Sequence, residues 1–273
     1  MSVITISRQL GSLGTEIARE VAEKLNYEYA DKEMVGKIIG GYGIAAPEMD
    51  KFDEKRPPFW DSLSIQRKNF LHFIEMAIYD LARKSGVVIV GRGGQILLRN
   101  LPGTLHVRIF APLNVRLRRL MESEGVDEKQ AGLMIRQSDH DSSGYIKSFF
   151  NADWDDSSLY DLLINTEKLS VETGAKSIIE SVNSPEIQGG AGKAAEKLAD
   201  LSLVQRVEAK LLEILGDEVW HVEIRAERGI VFLSGAVTSP LNKENCDRAV
   251  AGLEGVERVE NQLSLFQYYR FAP

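Results

Sequence analysis

The chain lacks the features of secreted, membrane-bound and nucleic-acid-binding proteins. Its 273 residues contain a single cysteine, Cys246, so no internal disulfide can form, which fits a reducing compartment. No apolar run approaches the roughly 20 residues of a membrane-spanning helix, and no basic and apolar leader opens the chain. The formal net charge of −7 argues against general binding to nucleic acid or to anionic membranes. We therefore expect a soluble, cytoplasmic protein without a transmembrane segment.

What the chain does contain is an alternation of short apolar runs and longer amphipathic segments. Val87–Val90 is a continuous β-branched run, which is typical of a strand buried on both faces. The other predicted strands of the first 183 residues are 3–7, 105–110 and 162–165, and the predicted helices are 15–25, 62–84, 112–121, 127–150 and 170–182. This alternation predicts an α/β fold with a parallel sheet flanked by helices.

The pattern changes after residue 183. Residues 184–199 are rich in small residues without periodicity, and they predict a flexible linker. The elements predicted beyond them are a helix at 202–215, strands at 219–226 and 230–237, a helix that opens at Ser239-Pro240, and a strand at 256–265. We therefore expect a small α+β domain of order αββαβ over 200–267, followed by an aromatic tail at 268–273.

Two glycine-bearing turns follow predicted strands. Gly11-Ser12-Leu13-Gly14 precedes a helix, where backbone N–H groups can bind a phosphate, although such a turn is as often merely structural. Gly91-Arg92-Gly93-Gly94 follows the buried strand at its carboxyl end, where ligands of open α/β sheets bind. Arg92 offers a planar guanidinium group that suits phosphate, or it is a solvated surface residue. The first turn lacks the Lys-Ser/Thr pair of a Walker A loop.

Three further polar clusters have simpler interpretations. Arg116 and Arg119 share one helix face, either as ligands or as part of a solvated surface. Asp139-His140-Asp141 is not expected to bind a metal, because adjacent helical residues point in different directions. Asn151–Asp156 is expected to end a helix and form a turn.

Several segments together resemble the cytidylate kinase-like family over about residues 1–183. The segments that carry the resemblance are 4–18, Gly91–Gln95, 105–109, 112–119, 149–154 and 160–170. The resemblance implies the P-loop fold of nucleoside monophosphate kinases, with a phosphate loop, an acceptor region and a mobile lid. It further implies that ATP and Mg²⁺ are used, and that the γ-phosphoryl group passes to a nucleoside monophosphate or a related small acceptor.

The resemblance also implies roles by position. The donor-phosphate loop would contain Ser7, Gly11, Ser12, Leu13, Gly14, Thr15 and Glu16. The acceptor would contact Gly91, Arg92, Gly93, Gly94, Arg116 and Arg119, and Asp31 would orient it. The cations available for catalysis would be Arg8, Arg92, Arg136 and Lys147, of which the last two bound the expected lid, 136–147.

Two departures from the cytidylate kinases favour an alternative function. Gly14 stands where those enzymes carry the loop lysine, a loss that the cytidylate kinase-like family as a whole shares. More particular to this chain, Ser138–Ser143 replaces a lid segment that usually carries arginines. Because phosphoryl transfer depends on positioned cations, the alternative is a catalytically weak nucleotide sensor. A scaffold without a small ligand is a third interpretation.

The C-terminal segment resembles the BON domain. The residues that carry this resemblance are Ile230–Val237, with Leu233-Ser234-Gly235, and Gly255–Asn261, with Gly-Val-x-x-Val-x-Asn. The resemblance implies regulation or docking through a protein or a small ligand. The oligomeric state is left open.

Overall fold

A computed structural model describes residues 2–41 and 64–266 of the chain. The first two residues of the helix predicted at 62–84 and the aromatic tail, 268–273, lie outside the described residues. The chain divides into two compact units, Met1–Ala194 and Ala195–Pro273. Of the helices in the described ranges, none combines the length and the apolar character needed to cross a bilayer.

The first unit confirms the predicted α/β architecture. Its strands are β1 (Val3–Arg8), β2 (Glu28–Ala30), β3 (Val87–Val90), β4 (Thr104–Phe110) and β5 (Leu162–Asn165). Its helices are α1 (Gly14–Leu25), α2 (Lys32–Gly41), α3 (Ser64–Lys84), α4 (Gly94–Leu97), α5 (Leu113–Glu124), α6 (Glu128–Phe150), α7 (Val171–Val182) and α8 (Pro185–Gln188). The sequence did not predict β2, α2 and α4, which are short or lack a clear apolar period.

The five strands form one parallel sheet in the order β2-β3-β1-β4-β5. β1 lies at its centre, where Ile6 pairs with Val90 of β3 and Val107 of β4. On one face, α1 and α7 pack together over the strands. Gly174 permits this contact, because a Cβ atom there would lie 2.8 Å from Ile17 Cδ1. The buried central strands and their helices thus hold the loops at the carboxyl ends of the strands in place.

The predicted linker is wrong as secondary structure. Residues 184–199 contain α8 and the start of α9 (Ala191–Leu215). Gly190 serves close packing, since a Cβ atom there would lie 2.4 Å from Gly103 N. The Gln188 amide also ties the segment to the first unit by donating to Val182 O at 2.7 Å.

The second unit contains most of α9, then β6 (Val222–Glu227), β7 (Ile230–Val237), α10 (Pro240–Ala251), β8 (Arg258–Asn261) and β9 (Ser264–Leu265). β6 is antiparallel to β7, whereas β8 and β9 pair parallel to it. The predicted strand at 256–265 is split in two, because the Asn261 side chain accepts a hydrogen bond from Leu263 N and donates to Lys243 O. The αββαβ order is otherwise as predicted, and Cys246 is buried in the core of this unit.

Candidate phosphate-binding site

The topology of the sheet indicates where a ligand can bind. From β1 the chain runs to the edge strand β2, whereas from β3 it crosses β1 to reach β4 on the other side. In open α/β sheets, ligands bind in the crevice at the carboxyl ends of strands whose connections diverge in this way. Both glycine turns lie at this crevice, since Gly91 N donates to Ile6 O at 3.0 Å.

A cavity of about 470 Å³ opens over the turn that follows β1. Its lining comes from this turn, the start of α1, the end of α5 and the middle of α6. The lining residues are Arg8, Gln9, Leu10, Gly11, Leu13, Gly14, Thr15, Glu16, Arg119, Leu120, Glu122, Ser123, Glu124, Ser138 and Ser142. The structure therefore brings together five of the seven predicted donor-loop residues.

The backbone of the turn directs the start of α1 at the cavity. Gly11 and Leu13 adopt left-handed conformations, with φ of 77° and 60°. Ser12 closes the turn, because its N–H and its hydroxyl both donate to Gln9 O, at 3.2 and 2.7 Å. The first N–H groups of a helix have no acceptor within it and carry the positive end of its dipole. Since Gly14 and Thr15 line the cavity, this end of α1 is suited to an anion.

The other two predicted donor-loop residues, Ser7 and Ser12, do not line the cavity. Both are buried, and Ser7 Oγ accepts a hydrogen bond from Trp154 Nε1 at 2.8 Å. Ser7 and Arg8 are consecutive on a strand, so their side chains point to opposite faces and only Arg8 reaches the cavity. The two serines therefore support the turn from behind, and their predicted role as phosphate ligands stays a prediction.

Sequence reasoning missed the role of Trp154, although it recognised Asn151–Asp156 as a turn. The Trp154 ring lies under Arg108, whose Cζ atom is 4.1 Å from its centroid. Arg108 also donates to Trp154 O at 2.8 Å and forms an ion pair with Asp155. This network fixes the indole N–H under β1, so the segment braces the candidate site.

Arg116 and Arg119 are predicted acceptor ligands, but the structure places both beside the first turn. Arg116 is 3% exposed and donates from Nε to Leu10 O at 2.7 Å. Its two terminal nitrogens bind the carboxylate of Asp139 on α6, at 2.7 and 2.9 Å. Arg119 donates to Thr166 O at 2.6 Å and to Gly11 O at 3.3 Å. Each guanidinium group is thus committed to carbonyl or carboxylate oxygens that hold the turn.

The environment of Arg119 is unfavourable for a cation. Burial, followed by repulsion from Arg118, lowers the pKa of Arg119 below its ordinary value, while Glu16 counteracts this. Among the charged residues of the cavity lining, Arg8 and Arg119 oppose the carboxylates of Glu16, Glu122 and Glu124. A polyphosphate would therefore meet a lining of mixed charge.

The second glycine turn packs against α6. Gly93 has a φ of 70°, and a Cβ atom there would lie 2.3 Å from Phe150 Cε2 on α6. Arg92 is buried, and its Cζ atom lies 5.9 Å from the ring centroid of Tyr145. Directly after the neighbouring strand β2, Asp31 Oδ1 accepts hydrogen bonds from Glu33 N and Met34 N, at 3.0 and 3.1 Å. Asp31 therefore caps α2, with one carboxylate oxygen committed to this role.

The expected lid is the middle of one continuous helix, α6. Arg136 and Lys147 are exposed, and neither lines the cavity. The α6 residues that do line it are Ser138 and Ser142, which lie one helical turn apart. Their spacing of four residues was the available signal that they share a helix face. The expectation of cations in the lid favoured arginine and lysine instead. The cavity wall at α6 therefore offers hydroxyl groups where positive charge was expected.

The lining also contains hard oxygen ligands. Thr15, Glu16 and Glu122 carry a hydroxyl and two carboxylates of the kind that Mg²⁺ prefers. Within residues 2–41 and 64–266, no group of three or more His, Cys, Asp or Glu side chains could hold a metal ion alone. The donor set therefore suits an ion that is brought by phosphates and held through one or two carboxylates.

Comparison with known proteins agrees with the observed fold. Residues 3–168 match the model of the cytidylate kinase-like family, and residues 199–265 match that of the BON domain. The cytidylate kinase of Staphylothermus marinus is 30% identical over 173 residues, which span 63% of this chain and 91% of that protein. The cytidylate kinase of Methanocaldococcus jannaschii is 29% identical over 182 residues, 66% of this chain and 96% of that protein. Among solved structures, an uncharacterized protein from Eubacterium ventriosum is similar with a TM-score of 0.54 and 28% identity, covering 67% of this chain and 98% of that one.

Proposed function

The chain belongs to the cytidylate kinase-like family and carries a BON domain, and we propose that it transfers the γ-phosphoryl group of ATP to a nucleoside monophosphate or a related small acceptor. The observation that carries this proposal is the cavity over Gly11–Gly14, which the start of α1 lines. Relatives of more than one species are cytidylate kinases, which supports a nucleotide as ligand.

The proposed reaction assigns the two turns to different substrates. The donor phosphates lie on the N–H groups at the start of α1, with Ser138 and Ser142 as hydrogen-bond donors from α6. The acceptor lies toward Asp31 and Gly91–Gly94, at the carboxyl ends of β2 and β3. An acceptor oxygen attacks the γ-phosphorus in line, and the bond to the bridging oxygen of ADP breaks. Developing negative charge is stabilised by the positioned N–H groups and by Arg8.

Mg²⁺ fits the cavity lining. Thr15 and Glu16 are the residues that would hold it, because their oxygen atoms lie beside the helix start that receives the phosphates. When bound with ATP, the ion neutralises phosphate charge. Glu16 would otherwise repel the phosphates, so we expect nucleotide binding to depend on the divalent cation.

A nucleotide sensor is the second candidate function. The observation that favours it is that the two cations expected in the lid, Arg136 and Lys147, are exposed and lie outside the cavity lining. In this case the same cavity binds nucleotide in the cytoplasm without turnover, and the BON domain passes the signal to a protein or a small ligand.

One experiment separates these functions. The full chain is incubated with Mg·ATP and with CMP, dCMP, UMP or other acceptors, and ADP formation is measured beside calorimetric titration of each nucleotide. Transfer supports the kinase, binding without transfer supports the sensor, and the absence of nucleotide binding contradicts both.

A matched pair of variants excludes contaminating kinases. Ser142→Glu places a carboxylate in the cavity, whereas Ser143→Glu adds the same charge at a neighbouring position outside the lining. We expect the first to abolish binding and transfer and the second to leave both unchanged. Activity that survives Ser142→Glu would belong to another protein.

A further inference from the structure

The absence of a lysine at position 14 has a steric explanation. A Cβ atom on Gly14 would lie 2.4 Å from Arg8 Cβ and 2.9 Å from Arg8 Cγ. Real Cβ contacts do not approach so closely. The backbone itself does not require glycine, because Gly14 is absent from the residues with positive φ. The side chain of Arg8 therefore occupies the space that any side chain at position 14 would need.

Arg8 also has unused hydrogen-bonding capacity at the cavity. It is the last residue of β1 and contributes to the lining beside Gly11 and Thr15. Its Nε atom is buried, and no acceptor among the described residues bonds to it. Leaving a buried donor of a charged group without an acceptor costs free energy, and among the described residues no oxygen commits this atom to holding the turn. The cavity's other arginine, Arg119, already donates to backbone carbonyls.

We propose that Arg8 takes the place of the phosphate-loop lysine and binds the β- and γ-phosphate oxygens of the donor. This inference rests on the proposed function and assigns the cation that function needs. A guanidinium group can bind phosphate oxygens in a bidentate manner, which a lysine ammonium cannot. Arg8 and a lysine at position 14 exclude each other, so Gly14 is the consequence of moving the cation from the helix start to the end of β1.

The first test removes the charge. Arg8→Gln should weaken Mg·ATP binding by about 10-fold or more, as expected for a charged hydrogen bond, and slow transfer at least as much. The loss of affinity should be smaller for ADP than for ATP and absent for AMP, because Arg8 contacts the outer phosphates. Arg8→Lys should recover part of the affinity. Arg19→Gln, which removes an exposed arginine on α1 outside the cavity lining, should bind ATP as the unmodified protein does.

The second test exchanges the two positions. Gly14→Lys alone should lose ATP binding, because the clash is with Arg8 Cβ, and Arg8→Gly alone should lose it for want of a cation. The double variant Arg8→Gly with Gly14→Lys has both the space and a cation, so it should bind ATP more tightly than either single variant. Only glycine at position 8 gives this space, since every other residue retains the Cβ atom.

The outcomes for Arg8 and for the proposed function are distinguishable. If the unmodified chain binds no nucleoside triphosphate, both the proposed function and the proposed role of Arg8 are wrong. If the unmodified chain binds ATP and Arg8→Gln binds it equally well, only the role of Arg8 is overturned. Normal ATP binding by Gly14→Lys would overturn that role as well. Circular dichroism of each variant reports whether it is folded, and Arg8→Lys and Arg8→Gln decide the question even if the double variant does not fold.

Discussion

The turns after β1 and β3 look alike in sequence but differ in structure. Each follows a buried parallel strand and contains at least two glycines, and an arginine stands nearby, at the end of β1 in the first case and within the turn in the second. In the first turn, Gly14 makes room for Arg8 and leaves a cavity in front of α1. In the second, Gly93 makes room for the ring of Phe150, and Arg92 is buried beside Tyr145. Glycine in such a turn thus reports a close neighbour, and the nature of that neighbour decides which groups of the turn a ligand can reach.

The largest expected effect tests the packing of the second turn. Gly93→Ala should lower the free energy of unfolding by about 2–5 kcal/mol, because it adds a left-handed conformation to a clash with Phe150. Gly125 is the matched control, since its φ of 67° is similar and nothing lies within 4 Å of an added Cβ. Gly125→Ala should cost only about 1–2 kcal/mol, as measured by urea unfolding. Equal losses in the two variants would contradict the packing explanation.

A smaller effect is expected at the first turn. Gly14→Ala should cost about 1–3 kcal/mol of unfolding free energy, because it overpacks the space beside Arg8 without backbone strain. It should also weaken ATP binding by displacing that side chain. Gly40 lies on a helix with nothing within 4 Å of an added Cβ, so Gly40→Ala should be neutral or stabilising by about 0.5–1 kcal/mol. A neutral Gly14→Ala would show that Arg8 does not need the space.

The brace behind the first turn gives the third prediction. Trp154→Phe should cost about 1 kcal/mol through loss of the indole hydrogen bond to Ser7 Oγ. In a double-mutant cycle with Ser7→Ala, the coupling energy between the two positions should account for most of this cost, since the two side chains share that hydrogen bond. Additive losses in the cycle would place the effect elsewhere in the packing of the ring.

The smallest effect concerns the pH dependence of the strand pair β1 and β4. The Nδ1 atom of His106 on β4 lies 2.7 Å from the Oγ1 atom of Thr5 on β1. Burial lowers the pKa of His106 below its ordinary value, although Asp161 opposes the shift. At mildly acidic pH, His106 therefore binds a proton more readily in the unfolded chain than in the folded unit. The free energy of unfolding should be highest above pH 6.5 and decrease as the pH falls through that ordinary value.

Two histidine variants check this assignment. His106→Gln should remove the part of the pH dependence that belongs to His106, whereas His140→Gln, at an exposed position, should retain it. An unchanged slope in His106→Gln would assign the acid sensitivity to another group.

Most strands and helices were predictable because their signals are local. Val87–Val90 is a run of β-branched residues, and Ser170 and Ser239 begin helices as predicted, each accepting a hydrogen bond from the backbone three residues ahead. The helices within residues 184–199 were not predicted, because composition was the only signal there. Small residues are common in flexible segments, but here Gly190 is small because Gly103 lies against it.

The sequence predicted where the candidate site lies better than it predicted which contacts form there. The turn after β1 was identified from its glycines, and it does face a cavity. The arginines were harder to assign, because their partners are distant in sequence. Arg116 binds Leu10 O, 106 residues away, and no local pattern reveals that contact.

The amino-acid sequence by itself determined the order of most strands and helices, the positions of the two glycine turns and the two family resemblances. These depend on periodicity, capping and local backbone preference, which act over a few residues. Only the tertiary structure decided that Arg8 reaches the cavity, that Arg116 and Arg119 brace the turn, and that Arg136 and Lys147 lie outside the lining. A guanidinium group takes its role from the acceptors around it, and chain segments far apart in sequence supply those acceptors.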